Sequence, residues 1–186
     1  MTSISTYQDQ EHHAKEDAYL KSINEFAVEM NKQNSLQELL FCIISSTINI
    51  LQLEDCVIYI ANQEKKELYQ FDAFGPKKLD AGEIYNPIIL QFGEGIVGAA
   101  AKEKKYQLIG NTSSDNRYVV DDQNRLSELA VPIIHNEEVV GVIDSESSEI
   151  NYYKDHHLNV FQTIAQLIPA RLHDLRSQEE LKITIE

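Results

Sequence analysis

The chain has 186 residues, 30 acidic against 16 basic, for a formal charge of −14. That length suits one domain with a sizeable core, and the acidic balance opposes nucleic acid and anionic membrane surfaces as partners. No apolar run approaches the length needed to span a bilayer, and the N-terminus MTSISTYQDQEHHAKED lacks a signal-peptide pattern, so the expected location is cytoplasmic.

Residues 1–17 read as disordered. Ala18 to Lys32 carries Leu20, Ile23, Ala27 and Met30 at spacings of three and four, the narrow seam of an amphipathic helix suited to a partner helix or to the domain's own body. Ser35 and Glu38 form an S-x-x-E capping signal ahead of LLFCIISSTINIL, a second, more deeply buried helix ending near Gln52. Cys56 to Ala61 and Glu67 to Phe74 are strand-like runs joined by the charged turn NQEKK. Cys42 and Cys56 lack any CxxC or Cys/His spacing and read as small buried hydrophobes.

Pro76 to Asn86 is a loop, and Pro87 to Gln91 a short strand that leads into FGEGIVGAAAKEK. There Gly93 and Gly95 make a turn and a helix starts near Ile96, but without GxGxxG spacing or a GK[ST] lysine this is no phosphate loop. After a brief strand from Tyr106 to Ile109, the polar segment NTSSDNRYVVDDQNR is expected to lie over one sheet face. Asp115, Arg117 and Tyr118 offer it an acceptor, a fork of donors and an aromatic face. They serve either a ligand or, the favoured reading, an internal Asp/Arg pair that pins the loop.

The stretch Leu126 to Ser147 describes a β-hairpin turning at Asn136-Glu137-Glu138, its arms rich in β-branched residues. Pro132 requires an unpaired or bulged position in the first arm, and Gly141 permits close approach to the second. Glu128, Asp144 and Glu146 fall at the same open end, forming a solvated rim or a polar ligand site. The last helix starts around Lys154 with Leu158, Phe161, Ala165, Ile168, Leu172 and Leu175 in a three-four alternation. A second stripe of Val160, Ile164 and Leu167 places its early part on the domain, while the later part is expected to project toward another helix. Pro169 predicts a kink near Ala165, and residues 177–186 read as a frayed tail. The paired histidines His12, His13, His156 and His157 read as surface residues rather than metal ligands, and nothing calls for a cofactor.

Two helices, several short strands, a hairpin and a closing helix describe an α+β domain with a central antiparallel sheet. The motifs FGEGIVGAAAKEKK, NTSSDNRYV, SELAVPI, GVIDSES and YYKDHHLNVFQTIAQLI, in that order, resemble those of GAF domains over residues 20 to 176. The resemblance implies helices on one sheet face, a small-molecule pocket between the other face and the 110–125 loop, and terminal helices that bundle in a homodimer. Cyclic-nucleotide binders of the family carry an Asn/Lys/Phe/Asp/Glu signature, of which only Asn111 is present, and no cysteine follows Cys56 to attach a bilin. The strands are closest to those of the free methionine sulfoxide reductases, in which acids matching Glu128, Asp144 and Glu146 hold the ligand's amino group and sulfoxide. That branch uses two redox cysteines where this chain has residues such as Val97 and Asp121. The resemblance therefore implies a non-catalytic sensory or regulatory domain for an unknown small molecule held by Glu128, Asp144, Glu146, Tyr118, Arg117 and Asp115. The alternatives are a structural dimerisation module with a collapsed pocket and a diverged reductase or hydrolase. Either a stand-alone protein or a piece of a larger sensor is compatible with the chain.

Overall fold

The computed structural model describes residues 20–79 and 82–185, with side chains described to Gln178. The segment 1–17, with His12 and His13, lies outside the described residues. Helix α1 covers 20–30 and α2 Leu36–Leu51; then come strands β1 (Cys56–Asn62), β2 (Glu67–Phe74) and β3 (Ile89–Gln91). Helix α3 (Gly95–Glu103), β4 (Gln107–Ile109) and a 3-10 turn at Thr112–Ser114 precede the long hairpin β5 (Ser127–His135) and β6 (Glu138–Ser147). Helices α4 (Asp155–Leu167) and α5 (Pro169–Ile185) close the chain. The strands form one antiparallel sheet in the order β3-β2-β1-β6-β5-β4, the α+β architecture expected.

The period of two along the central strands sorts side chains onto two faces. Cys56, Ile58 and Ile60 of β1, with Leu129, Val131, Ile133 and Ile143 of the hairpin, meet α1, α2, α4 and α5 in the larger core. Val57, Tyr59 and Ala61, with Ala130 and Val142, face the other way, where α3 and the loops cover them. The helix-side core therefore anchors the sheet, and the opposite face is roofed mostly by loops.

Local signals set the element ends. Ser35 Oγ accepts from the Glu38 N–H at 3.2 Å, while the Glu38 carboxylate reaches back to the Asn34 N–H at 2.9 Å, one residue earlier than a standard capping box. Gln52 caps α2 in the left-handed region (φ 55°). Gly141 meets the Tyr59 carbonyl oxygen of β1: a Cβ there would sit 2.5 Å from it. Gly141→Ala is expected to prise β6 from β1 and cost about 1–3 kcal/mol, to be measured by urea unfolding, and an unchanged midpoint would refute the close approach.

The structure corrects several expectations about the helices. In α1 the inward residues are Ile23, Phe26 and Met30, and Leu20 is exposed, because the helix packs on its own domain's core. The α4/α5 seam does not project: Ile168, Leu172 and Leu175 are buried, and Arg176 Nη1 donates to the Ala61 carbonyl at 2.7 Å. Leu167 is exposed, so the widened stripe comprises Val160 and Ile164 alone. The helix breaks at Ile168 rather than bending at Ala165; Pro169 occupies the first position of α5, where its missing N–H has no intrahelical role. The backbone remains helical to Ile185, beyond the expected end at Arg176. His156 is exposed as expected, but His157 is buried between Tyr152 and Tyr153. Its Nδ1 accepts the Lys154 N–H at 3.1 Å, and burial, reinforced by His156 and Lys154, pushes its pKa down to about 4.

Candidate functional site

Glu128 stands directly opposite Glu146 in the β5–β6 ladder, and Asp144 lies two residues along β6. Because side chains alternate, all three carboxyls emerge on the loop-covered face. The rim reading fails: Glu128, Asp144 and Glu146 are all buried. They line a small cavity of about 20 Å³, whose remaining wall includes Tyr59, Leu90, Ile96, Val97, Val119 and Asp121. Such a volume has room for about one water-sized group.

The loop over the cavity is fastened at several points. Thr112 Oγ1 donates to the Arg125 carbonyl, and the Thr112 N–H to that of Leu126 at 3.1 Å, closing the loop's base. Arg117 grips Asp115 through Nε (3.0 Å) and Nη2 (2.7 Å) and reaches Gln107 Oε1 through Nη1 (3.1 Å). This is the pinning pair; neither residue lines the cavity. The Tyr118 ring packs into the core on this face, and its hydroxyl accepts the Arg125 N–H at 2.9 Å and donates to the Gln123 carbonyl at 3.4 Å. Asp121, at the loop's far end, takes the Lys77 ammonium on one oxygen and the Gln70 amide on the other; Gln70 also donates to the Tyr59 hydroxyl at 2.9 Å.

Three of these residues escaped the sequence reading. Lys77, in a segment read as a plain loop, is buried, its Nζ also bonded to the Asn86 carbonyl at 3.1 Å. Arg125 is buried beneath the loop and donates from Nη2 to Asp122 at 3.2 Å. Asp55, just before β1, is buried and accepts the Glu146 N–H at 3.0 Å, while its carbonyl accepts from Ser145 Oγ at 2.5 Å. The signals were faint: an arginine three residues before Glu128, and an aspartate between the apolar Leu53 and Cys56.

The charge balance of this region is unusual. Lys77 is matched by Asp121 and Arg125 by Asp122, leaving Asp55, Glu128, Asp144 and Glu146 in excess. Burial raises all four pKa values. Asp55 is pushed up to about 7, with its hydrogen bond from Glu146 and the Arg125 charge working against the rise. Glu146 reaches about 8 through burial and then Asp55, opposed by Tyr118 and Arg125. Glu128 is raised by burial and then Glu146, and Asp144 by burial and then Glu128. The Asp144 side chain opposes the rise at Glu128. The buried Asp144 Oδ1 has no hydrogen-bond partner among the described residues. Such an assembly can hold protons or take up a cationic donor group.

Residues 33–172 match the GAF domain family, and the chain belongs to it. The free methionine-R-sulfoxide reductase of Saccharomyces cerevisiae is 30% identical over 81 residues, which are 43% of this chain and 45% of the yeast protein. The chain thus matches less than half the length of that curated relative. Solved structures share the fold. The GAF domain of a Coxiella burnetii phosphoenolpyruvate-protein phosphotransferase superposes with a TM-score of 0.76 at 18% identity, covering 87% of this chain and 96% of that one. Its Acinetobacter counterpart gives 0.75 at 16%, covering 88% and 98%. The Neisseria meningitidis free methionine-R-sulfoxide reductase, solved with its substrate, gives 0.73 at 16%, covering 86% and 91%. Val97 and Asp121, which stand where the resemblance puts the reductases' cysteines, both line the cavity, and the chain's two cysteines, Cys42 and Cys56, are buried on the helix side.

Proposed function

We propose that the chain is a non-catalytic sensory or regulatory GAF domain whose ligand presents an amine or another cationic group to Glu128, Asp144 and Glu146. The observation that carries this reading is the buried Asp144 Oδ1, without a hydrogen-bond partner in a cavity wall that has more carboxyls than cations. A cation entering there meets an acceptor that is already desolvated. Ligand cavities commonly measure about 300–1,000 Å³, so binding requires the 110–125 loop to lift, taking Val119 and Asp121 out of the wall. Signalling is then a shift between closed and open loop states that the ligand binds with different affinity. Tyr118, whose hydroxyl accepts the Arg125 N–H, transmits the shift to Arg125. Asp115 and Arg117 serve as the loop's fixed hinge rather than as ligand contacts.

Isothermal titration of the standard amino acids and of polyamines tests this reading. Saturable heat from at least one of them, reduced at least about tenfold in Glu128→Gln, is the expected result, since a hydrogen bond to a charged group contributes about 1.5–3 kcal/mol. No heat from any of them, with Glu128→Gln behaving identically, would overturn it.

The 20 Å³ volume favours a second reading, a structural module whose pocket is filled by its own side chains. Native mass spectrometry separates the two: a small adduct lost on denaturation supports the sensor, a clean protein mass the module. A homodimer remains part of the proposal, supported by Leu20, Val28 and Phe41, which stay exposed on α1 and α2. Two free, buried cysteines suit the reducing cytoplasm, and no helix among the described residues is long and apolar enough to cross a membrane.

A further inference from the structure

A larger recess lies away from the carboxyl cavity, at the other edge of the hairpin. Strand β4 pairs with β5 only from Glu128 to Ala130, so Val131 to His135 have no strand partner on their outer edge among the described residues. Pro132 tolerates this position because it has no N–H to leave unpaired. Along this free edge runs a groove of about 710 Å³, floored by Val131, Pro132 and Ile134. Lys104, Lys105 and Tyr106 form one bank, and Gln162, Ala165, Gln166 and Pro169, at the break between α4 and α5, the other.

Two observations decide what fits. The only charged residues lining the groove are two lysines, in a chain whose formal charge is −14. Neither lysine has a carboxylate within ion-pair distance among the described residues; Lys104 Nζ instead donates to the Glu137 carbonyl. The backbone beside them is extended and lacks a neighbour, which a strand-forming peptide supplies through main-chain hydrogen bonds. A strand's alternation would turn one set of side chains to the lysine bank and the other to Ala165 and Pro169 on the opposite bank. We infer that this groove is a docking site for an extended acidic peptide segment of a partner protein, paired along the free edge of β5.

The test is fluorescence anisotropy of the full chain with a fluorescein-labelled hexapeptide of alternating glutamate and valine, and with its lysine–valine counterpart. The expected result is saturable binding of the acidic probe alone, weakened by added salt and at least about tenfold by the double substitution Lys104→Glu, Lys105→Glu. Gln166→Trp, at an exposed position on the opposite bank, is expected to block the groove while leaving the circular dichroism unchanged. Hydrogen exchange of the Ile134 amide is expected to slow in the complex. The inference is overturned if the acidic probe does not bind, if both variants bind it equally well, or if it binds without protecting that amide. It is equally overturned if sedimentation shows that a second copy of the chain occupies the groove and the probe does not displace it.

Discussion

From about pH 5 to about pH 8 the thermal midpoint of this protein is expected to fall, by roughly 10 °C, the reverse of ordinary acid unfolding. Asp55 and Glu146 titrate near 7 and 8 in the folded chain against 3.8 and 4.5 ordinarily. Folding therefore raises both values, and over that interval the native state keeps protons that the unfolded chain releases. Their contribution is fully present below the ordinary carboxylate range and is lost as pH rises through about 7 to 8. Each unit of raised pKa corresponds to about 1.4 kcal/mol, so the two groups together can contribute several kcal/mol. Differential scanning calorimetry across this range measures the effect. Glu146→Gln keeps the side chain's shape while removing the charge, so it is expected to flatten the profile and to raise the midpoint at pH 8. A flat or rising wild-type profile would mean that the buried acids are relieved by some other cation.

Replacing Arg125 by methionine is expected to destabilise the fold by about 3–5 kcal/mol at about pH 9, the cost of leaving buried carboxylates without their counter-ion. The guanidinium is held to Asp122, and its charge lowers the pKa values of Asp55 and Glu146. Its removal strands Asp122 and, once pH has risen through about 7 to 8, Asp55 and Glu146 as well. The penalty should shrink below about pH 6, where Asp55 and Glu146 carry protons, so urea unfolding at two pH values distinguishes lost charge from lost packing. A loss under about 1 kcal/mol, equal at both, would show that Arg125 acts only by filling space.

The periodic parts of the structure could be read from the residues. Runs of β-branched and apolar residues marked β1, β5 and β6, Ser35 and Gln52 bounded α2, and the order of motifs gave the GAF fold over the matched residues 33–172. The positions of Glu128, Asp144 and Glu146 at one end of the hairpin were legible too. Their burial was not, because it is imposed by a loop whose path depends on contacts between residues distant in sequence, Asp121 with Lys77 and Gln70 above all. The same limit misassigned the α4/α5 seam. A three-four stripe states that a helix has an apolar face, not whose core the face enters, and Ile168, Leu172 and Leu175 enter this domain's own. His157 was misread for a related reason, since its burial depends on two tyrosines and a capping bond rather than on apolar spacing.

The junction at Asp121 has a kinetic consequence. One carboxylate holds Lys77 from the segment before β3 and Gln70 from β2, so the loop that roofs the cavity has both fastenings at a single residue. It cannot swing aside at Asp121 while either stays latched. Any molecule admitted to the carboxyl cavity waits on the same opening event on its way in and on its way out. Arrival would then be slower than diffusion, and departure slower than the contacts inside would set by themselves. Under the proposed sensory reading, such a domain would integrate concentration over time and ignore brief fluctuations, and loosening that one junction, as in Lys77→Met, would quicken its response in both directions.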